Sequence, residues 1–159
     1  MRRPLPATWI VVMDSSRANF WRLECDENGQ EHIAEVTPPL YSHLHAHARD
    51  VRSDQPGRYR RGGSYHQQDT FNAEHDPHKL EKHDFVRKVV AHLQSAHDAR
   101  EFVRLAVVAP QRTIGEIRVM AGPKLSQAFW REIGKDLVKL DRDQLWTRLA
   151  PELFAPRKD

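Results

Sequence analysis

Apolar side chains along this chain of 159 residues fall into short runs separated by turn-forming residues, and into one longer stripe with helical spacing. Residues 9–13 (Trp-Ile-Val-Val-Met) form an unbroken apolar run, as expected of a strand covered on both faces. Asp14, Ser15, Ser16 and Arg17 can turn the chain, and residues 18–25 read as a second strand with aromatic and polar positions mixed. Asp26-Glu27-Asn28-Gly29 is a hairpin signal, since Asn-Gly tolerates the positive φ of tight turns. A third strand is expected near residues 32–37, stopping at Pro38-Pro39. Asp76 before Pro77 marks a helix start, with an Asx cap and a proline where a missing N–H costs nothing. Val86, Val89, Val90, Leu93 and Ala96 then lie on one stripe of a long amphipathic helix.

Residues 102–109 are apolar enough for a central strand, expected to run parallel to the first. Residues 110–120 predict a short helix with Ile114 and Ile117 inward, ending at Ala121-Gly122-Pro123. A fifth strand is expected within residues 129–140, although their polarity leaves a helix open. Asp141 with Gln144 forms a capping-box pattern, and the last helix presents Leu145, Leu149 and Leu153. The order βββαβαβα predicts an α/β protein with a mixed five-stranded sheet: a three-stranded antiparallel meander, then α/β crossovers. Ribonuclease H-like folds and release-factor middle domains share this order. One domain spanning residues 1–159, with its core at about 8–154 and a long loop at about 40–75, is expected at this length.

That loop changes the picture. Residues 49–68 read RDVRSDQPGRYRRGGSYHQQ, with five arginines (49, 52, 58, 60 and 61) against two aspartates. The whole chain carries a net charge of +3, so its basicity is concentrated in this segment. Long irregular segments inside a small domain are usually functional or disordered. A cationic one suits a polyanion such as RNA, because neutralising phosphates releases condensed counterions. The plainer reading is a solvated insertion with no partner. The N-terminus (MRRPLPATWIVVMDSS) is basic and then apolar, but Asp14 interrupts a run too short for a secretion signal. No run approaches the length of a membrane span. The single cysteine, Cys25, excludes an internal disulfide, and a cytoplasmic location is expected.

Four motifs occur in order along the chain. WIVVMDSSRANFWRL resembles the strand, Asp-Ser-Ser-Arg-Ala, strand opening of proteins described as required for attachment to host cells. SDQPGR at 53–58 resembles their Ser-Asp-x-Pro-Gly-Arg loop. RLAVVAPQRTIGEIR resembles their strand-to-helix junction, and EIGKDLVKL resembles a motif near their C-terminus. The likeness covers about residues 8–150. Gln111 departs from a second proline, Thr113-Ile114 from Phe-Leu, and Val138 from threonine. The group is similar to bacterial relatives of the archaeo-eukaryotic release factor and Pelota middle domain, which implies that fold and a link to the ribosome. Release factors carry Gly-Gly-Gln on a loop, whereas this chain has Gly62-Gly63-Ser64. Glycines there would allow close approach to RNA, but the missing glutamine speaks against peptide release.

Candidate chemistry follows from these patterns. Arg112 and Arg118, around Gly115 after a central strand, together with Arg17 and loop residues Arg52, Arg58, Arg60, Arg61, Gly62 and Gly63, form a candidate anion- or nucleic-acid-binding edge. Asp14 ends the first strand, and Asp136 approaches from the fifth, as weak candidates for a metal-dependent hydrolase or nuclease; a turn cap at Asp14 is the plainer reading. His43, His45 and His47 would place three imidazoles on one face of an extended strand, with His75 and His78 near the next helix. That triplet makes zinc the only cofactor worth weighing, though ordinary loop histidines are preferred. The four tryptophans fit the core or subunit contacts, so a homo-oligomer stays open. The leading expectation is a non-catalytic RNA- or ribosome-associated module. The alternatives are an adhesion-related host-attachment protein and the hydrolase.

Overall fold

A computed structural model describes residues 4–42 and 77–156. Three strands open the chain: β1 (Thr8–Met13), β2 (Arg17–Cys25) and β3 (Glu31–Tyr41). The long helix α1 (Pro77–Asp98) leads to β4 (Arg104–Val108), then α2 (Gln111–Met120), α3 (Pro123–Ala128), β5 (Phe129–Ile133) and α4 (Arg142–Leu153). The sheet order is β3-β2-β1-β4-β5. β1–β2 and β2–β3 are antiparallel, and β1–β4 and β4–β5 are parallel. The expected mixed five-stranded α/β sheet, with a meander at one end, is the fold.

Alternation along β1 divides the core in two. Trp9, Val11 and Met13 face one side, where Val86, Val89, Val90 and Leu93 of α1 and Ile114 and Ile117 of α2 cover them. Ile10 and Val12 face the other side, against Leu145, Leu149 and Leu153 of α4. All six residues of β1 are buried, which explains its unbroken apolar run. α4 starts with the capping box read from sequence: Asp141 Oδ1 accepts from Gln144 N at 2.8 Å, and Asp141 N donates to Gln144 Oε1 at 3.2 Å. Trp9 and Trp21 are core residues. Trp130 is half-buried beneath the Arg104 guanidinium, 3.7 Å from its ring centre.

Two expectations need correction. β3 does not stop before the prolines; it runs through Pro38 and Pro39 to Tyr41. As an edge strand it has no outer ladder to miss their N–H groups. The pairing also bulges there, since Ala18↔Leu40 and Phe20↔Thr37 set two steps on β2 against three on β3. The order contains one further helix, α3, whose six residues are too few to show a helical period. In the hairpin, Gly29 takes the positive φ of 78° and no other residue of the turn does. Gly29 N donates to Asp26 O at 3.0 Å, and Asp26 Oδ1 accepts from Asn28 N and Gln30 N. The expected hairpin is present, and its connection is a three-residue loop with a glycine bulge.

Among the described residues, no helix is long and apolar enough to cross a membrane.

Candidate functional site

The parallel strands β1, β4 and β5 end on the same edge of the sheet, and the segments that follow them meet α1 there. A cleft of about 510 Å³ opens between them. Asp14 and Ser15 come from the turn after β1. Pro110, Arg112 and Thr113 come from the start of α2, with Glu116 one turn on. Asp136 follows β5, and Lys79, Lys82 and His83 project from the first turns of α1. The spacing of Lys79, Lys82 and His83 puts them on one helical face. A larger depression of about 910 Å³ lies at the opposite end of the sheet, beside the β2–β3 hairpin. It is lined by Pro4, Leu5 and residues 25–31, whose charged members are Asp26, Glu27 and Glu31, a poor setting for an anion.

Asp14 is held by its own turn. Its Oδ1 accepts from Ser16 N at 2.8 Å, Ser16 Oγ at 3.0 Å and Arg17 N at 2.9 Å. Ser16 O in turn accepts from Ser42 N at 2.8 Å, so the end of β3 is tied to the same turn. Asp14 and Asp136 thus share one cleft, but Asp14 already closes the turn from β1 to β2. Among the described residues, no three acidic, histidine or cysteine side chains gather closely enough to hold a metal ion.

The arginines separate. Arg112 lines the cleft; its side chain is 83% exposed, and its Nε lies 3.9 Å from Glu116 Oε1, too loose to fix it. Arg118 instead turns to β5 and pairs with Glu132, whose hydrogen bond holds the guanidinium pKa above its ordinary value. Arg17 Nε donates to Asn19 Oδ1 at 3.2 Å, and its guanidinium lies 5.5 Å from the Tyr41 ring centre. At Gly115 a Cβ would meet nothing within 4 Å, so close packing does not require a glycine there. At Gly134 a Cβ would meet the Gln111 side chain at 2.1 Å, so the glycine lets the first residue of α2 lie over the chain after β5. Arg52, Arg58, Arg60, Arg61, Gly62, Gly63, His43, His45, His47 and His75 lie outside the described residues. His78 is exposed on the first turn of α1.

Sequence reading missed Lys79, Lys82, His83 and Thr113. The i, i+3, i+4 spacing of the first three was a legible signal of a shared face. Nothing in the sequence said which face the cleft would take. Thr113 carried no signal, since its importance depends on burial.

No curated protein matches the chain at a significant level. A family model does match, over residues 9–149, and its description is "Protein required for attachment to host cells". With nearly the whole chain covered, the protein belongs to the family of proteins required for attachment to host cells.

Proposed function

We propose that the protein is a non-catalytic module that binds RNA, including RNA of the ribosome, through the cleft and the arginine-rich segment of residues 49–68. One observation carries the reading. Ser42, at the end of β3, is tied to the Asp14 turn that lines the cleft, and Pro77 opens α1 two residues before Lys79 of the cleft. Between these two points the sequence carries five arginines against two aspartates over residues 49–68, and Lys79, Lys82 and Arg112 line the cleft itself. Phosphate contacts of this kind supply affinity and register without reading bases. The resemblance to release-factor middle domains supports the ribosome as the source of RNA and a cytoplasmic location. Co-sedimentation with ribosomes over a salt series tests it: binding should fall with salt and weaken in Arg58→Ala/Arg60→Ala/Arg61→Ala. Salt-dependent binding that the triple variant leaves untouched would remove the proposed role of the segment.

A second reading, a direct part in attachment to host cells, is favoured by the family's description. Cell fractionation separates the two, because direct attachment requires the protein at the outer surface.

A further inference from the structure

We infer that the start of α2 is a phosphate-binding subsite, where the N–H groups of Gln111, Arg112 and Thr113 and the Thr113 hydroxyl donate to one phosphate group. The inference deepens the polyanion reading and rests on it for the source of the phosphate.

Two independent observations support it. First, α2 is ten residues long and begins at Pro110, with no side chain capping its N-terminus. Proline offers neither an N–H nor a side-chain acceptor, and the first helical N–H with a partner is Ile114 N, which donates to Pro110 O at 3.1 Å. The three preceding N–H groups have no partner within the helix, and they carry the positive end of its dipole. Second, Thr113 is only 6% exposed and lines the cleft, and among the described residues its hydroxyl makes no hydrogen bond. Thr147 of α4 shows the usual alternative, donating to Asp143 O one turn back at 2.9 Å. Thr37 shows another, a hydroxyl shut off from solvent on a half-buried residue of β3. Thr113 does neither: it lines the cleft, and its hydroxyl is not among the sealed, unpartnered atoms of the described residues.

The charges set the character of the site. Lys79, Lys82 and Arg112 are opposed by Asp14, Glu116 and Asp136, so the side chains of the cleft nearly cancel. Selection therefore falls to directed N–H and O–H donors, which suit a single tetrahedral phosphate better than a diffuse anion. The carboxylates also give the subsite a sign test. Asp136→Asn removes a repulsion and should tighten phosphate binding several-fold, whereas a metal site using Asp136 would weaken.

The experiment is a titration of the ¹⁵N-labelled full chain with inorganic phosphate. The amide resonances of residues 111–113 should shift saturably, and Thr113→Val should weaken binding about tenfold. Removing an unpartnered hydroxyl should leave the fold intact, so that loss is not an unfolding artefact; Arg112→Ala gives a second, exposed test. Unmoved α2 resonances, or Thr113→Val binding as tightly as the parent, overturns the subsite. A 5′-phosphorylated oligoribonucleotide and its 5′-hydroxyl counterpart separate the sources. Preference for the first assigns a terminal phosphate, and equal binding with the same resonance shifts assigns the backbone. If either oligomer binds while α2 stays silent, the subsite falls and the RNA reading stands. If phosphate shifts α2 and neither oligomer binds, the subsite stands and the RNA reading falls.

Discussion

Replacing Asp14 separates its architectural role from any chemical one. Its Oδ1 takes three hydrogen bonds, two from the main-chain N–H groups of Ser16 and Arg17 and one from the Ser16 hydroxyl. Asp14→Ala leaves both N–H groups without that acceptor in a partly buried turn, while the hydroxyl can rotate to water. At about 1 kcal/mol for each lost main-chain bond, with a further fraction for charge assistance, the cost is about 2–3 kcal/mol. In a chain of this length that lowers the melting temperature by roughly 6–9 °C. Asp14→Asn keeps an oxygen in the same place and loses only the charge, so its cost should stay within about 1 kcal/mol. Thermal unfolding followed by circular dichroism measures both. The Ser42–Ser16 bond depends on the same turn, so Asp14→Ala should also loosen the end of β3 in hydrogen exchange. The reasoning is refuted if Asp14→Ala melts with the parent, or if Asn costs as much as Ala.

Gly115 sits inside α2 with open space where a Cβ would go, so Gly115→Ala should stabilise the protein by about 0.5–1 kcal/mol in urea denaturation. A loss of stability would mean that the helix packs more closely there than described. Leu149 is fully buried between α4 and the sheet, and Leu149→Ala should cost about 2–5 kcal/mol in the same assay. The Glu24 carboxyl lies below its ordinary value of 4.5, chiefly through the hydrogen bond from Arg22, with burial opposing. Its folded pKa is depressed, so its stabilisation is present above that ordinary value and is lost as pH falls through the folded one. Comparing the parent with Glu24→Gln should show a gap of less than about 1 kcal/mol near neutrality that closes in acid. A gap that widens in acid contradicts the sign.

What the sequence made legible followed from local physics. The unbroken run of β1, the stripe of Val86, Val89, Val90 and Leu93, and the Asp141–Gln144 box each encode their own element. Pro38-Pro39 misled because a proline stops a strand only where its N–H is needed, and edge position is a property of the finished sheet. The six residues of α3 held no period to read. The lining of the candidate cleft was legible in part: Asp14, Asp136 and Arg112 were each picked out and meet there. Arg118 was not separable from Arg112 by sequence, because only the placement of Glu132 on β5 draws it away. Thr113 lay hidden, since an unpartnered hydroxyl is visible only once its neighbours are in place.

The central claim is that Lys79, Lys82 and Arg112 meet the phosphates of an RNA. Fluorescence anisotropy of a labelled oligoribonucleotide, titrated over a salt series with the parent and with Lys79→Ala/Lys82→Ala/Arg112→Ala, measures it most directly. Each neutralised phosphate of a single strand contributes about 0.7 to the slope of log affinity against log salt, so the triple variant should be shallower by roughly 2. Binding that ignores salt, or a triple variant with the parent's slope, would contradict the account.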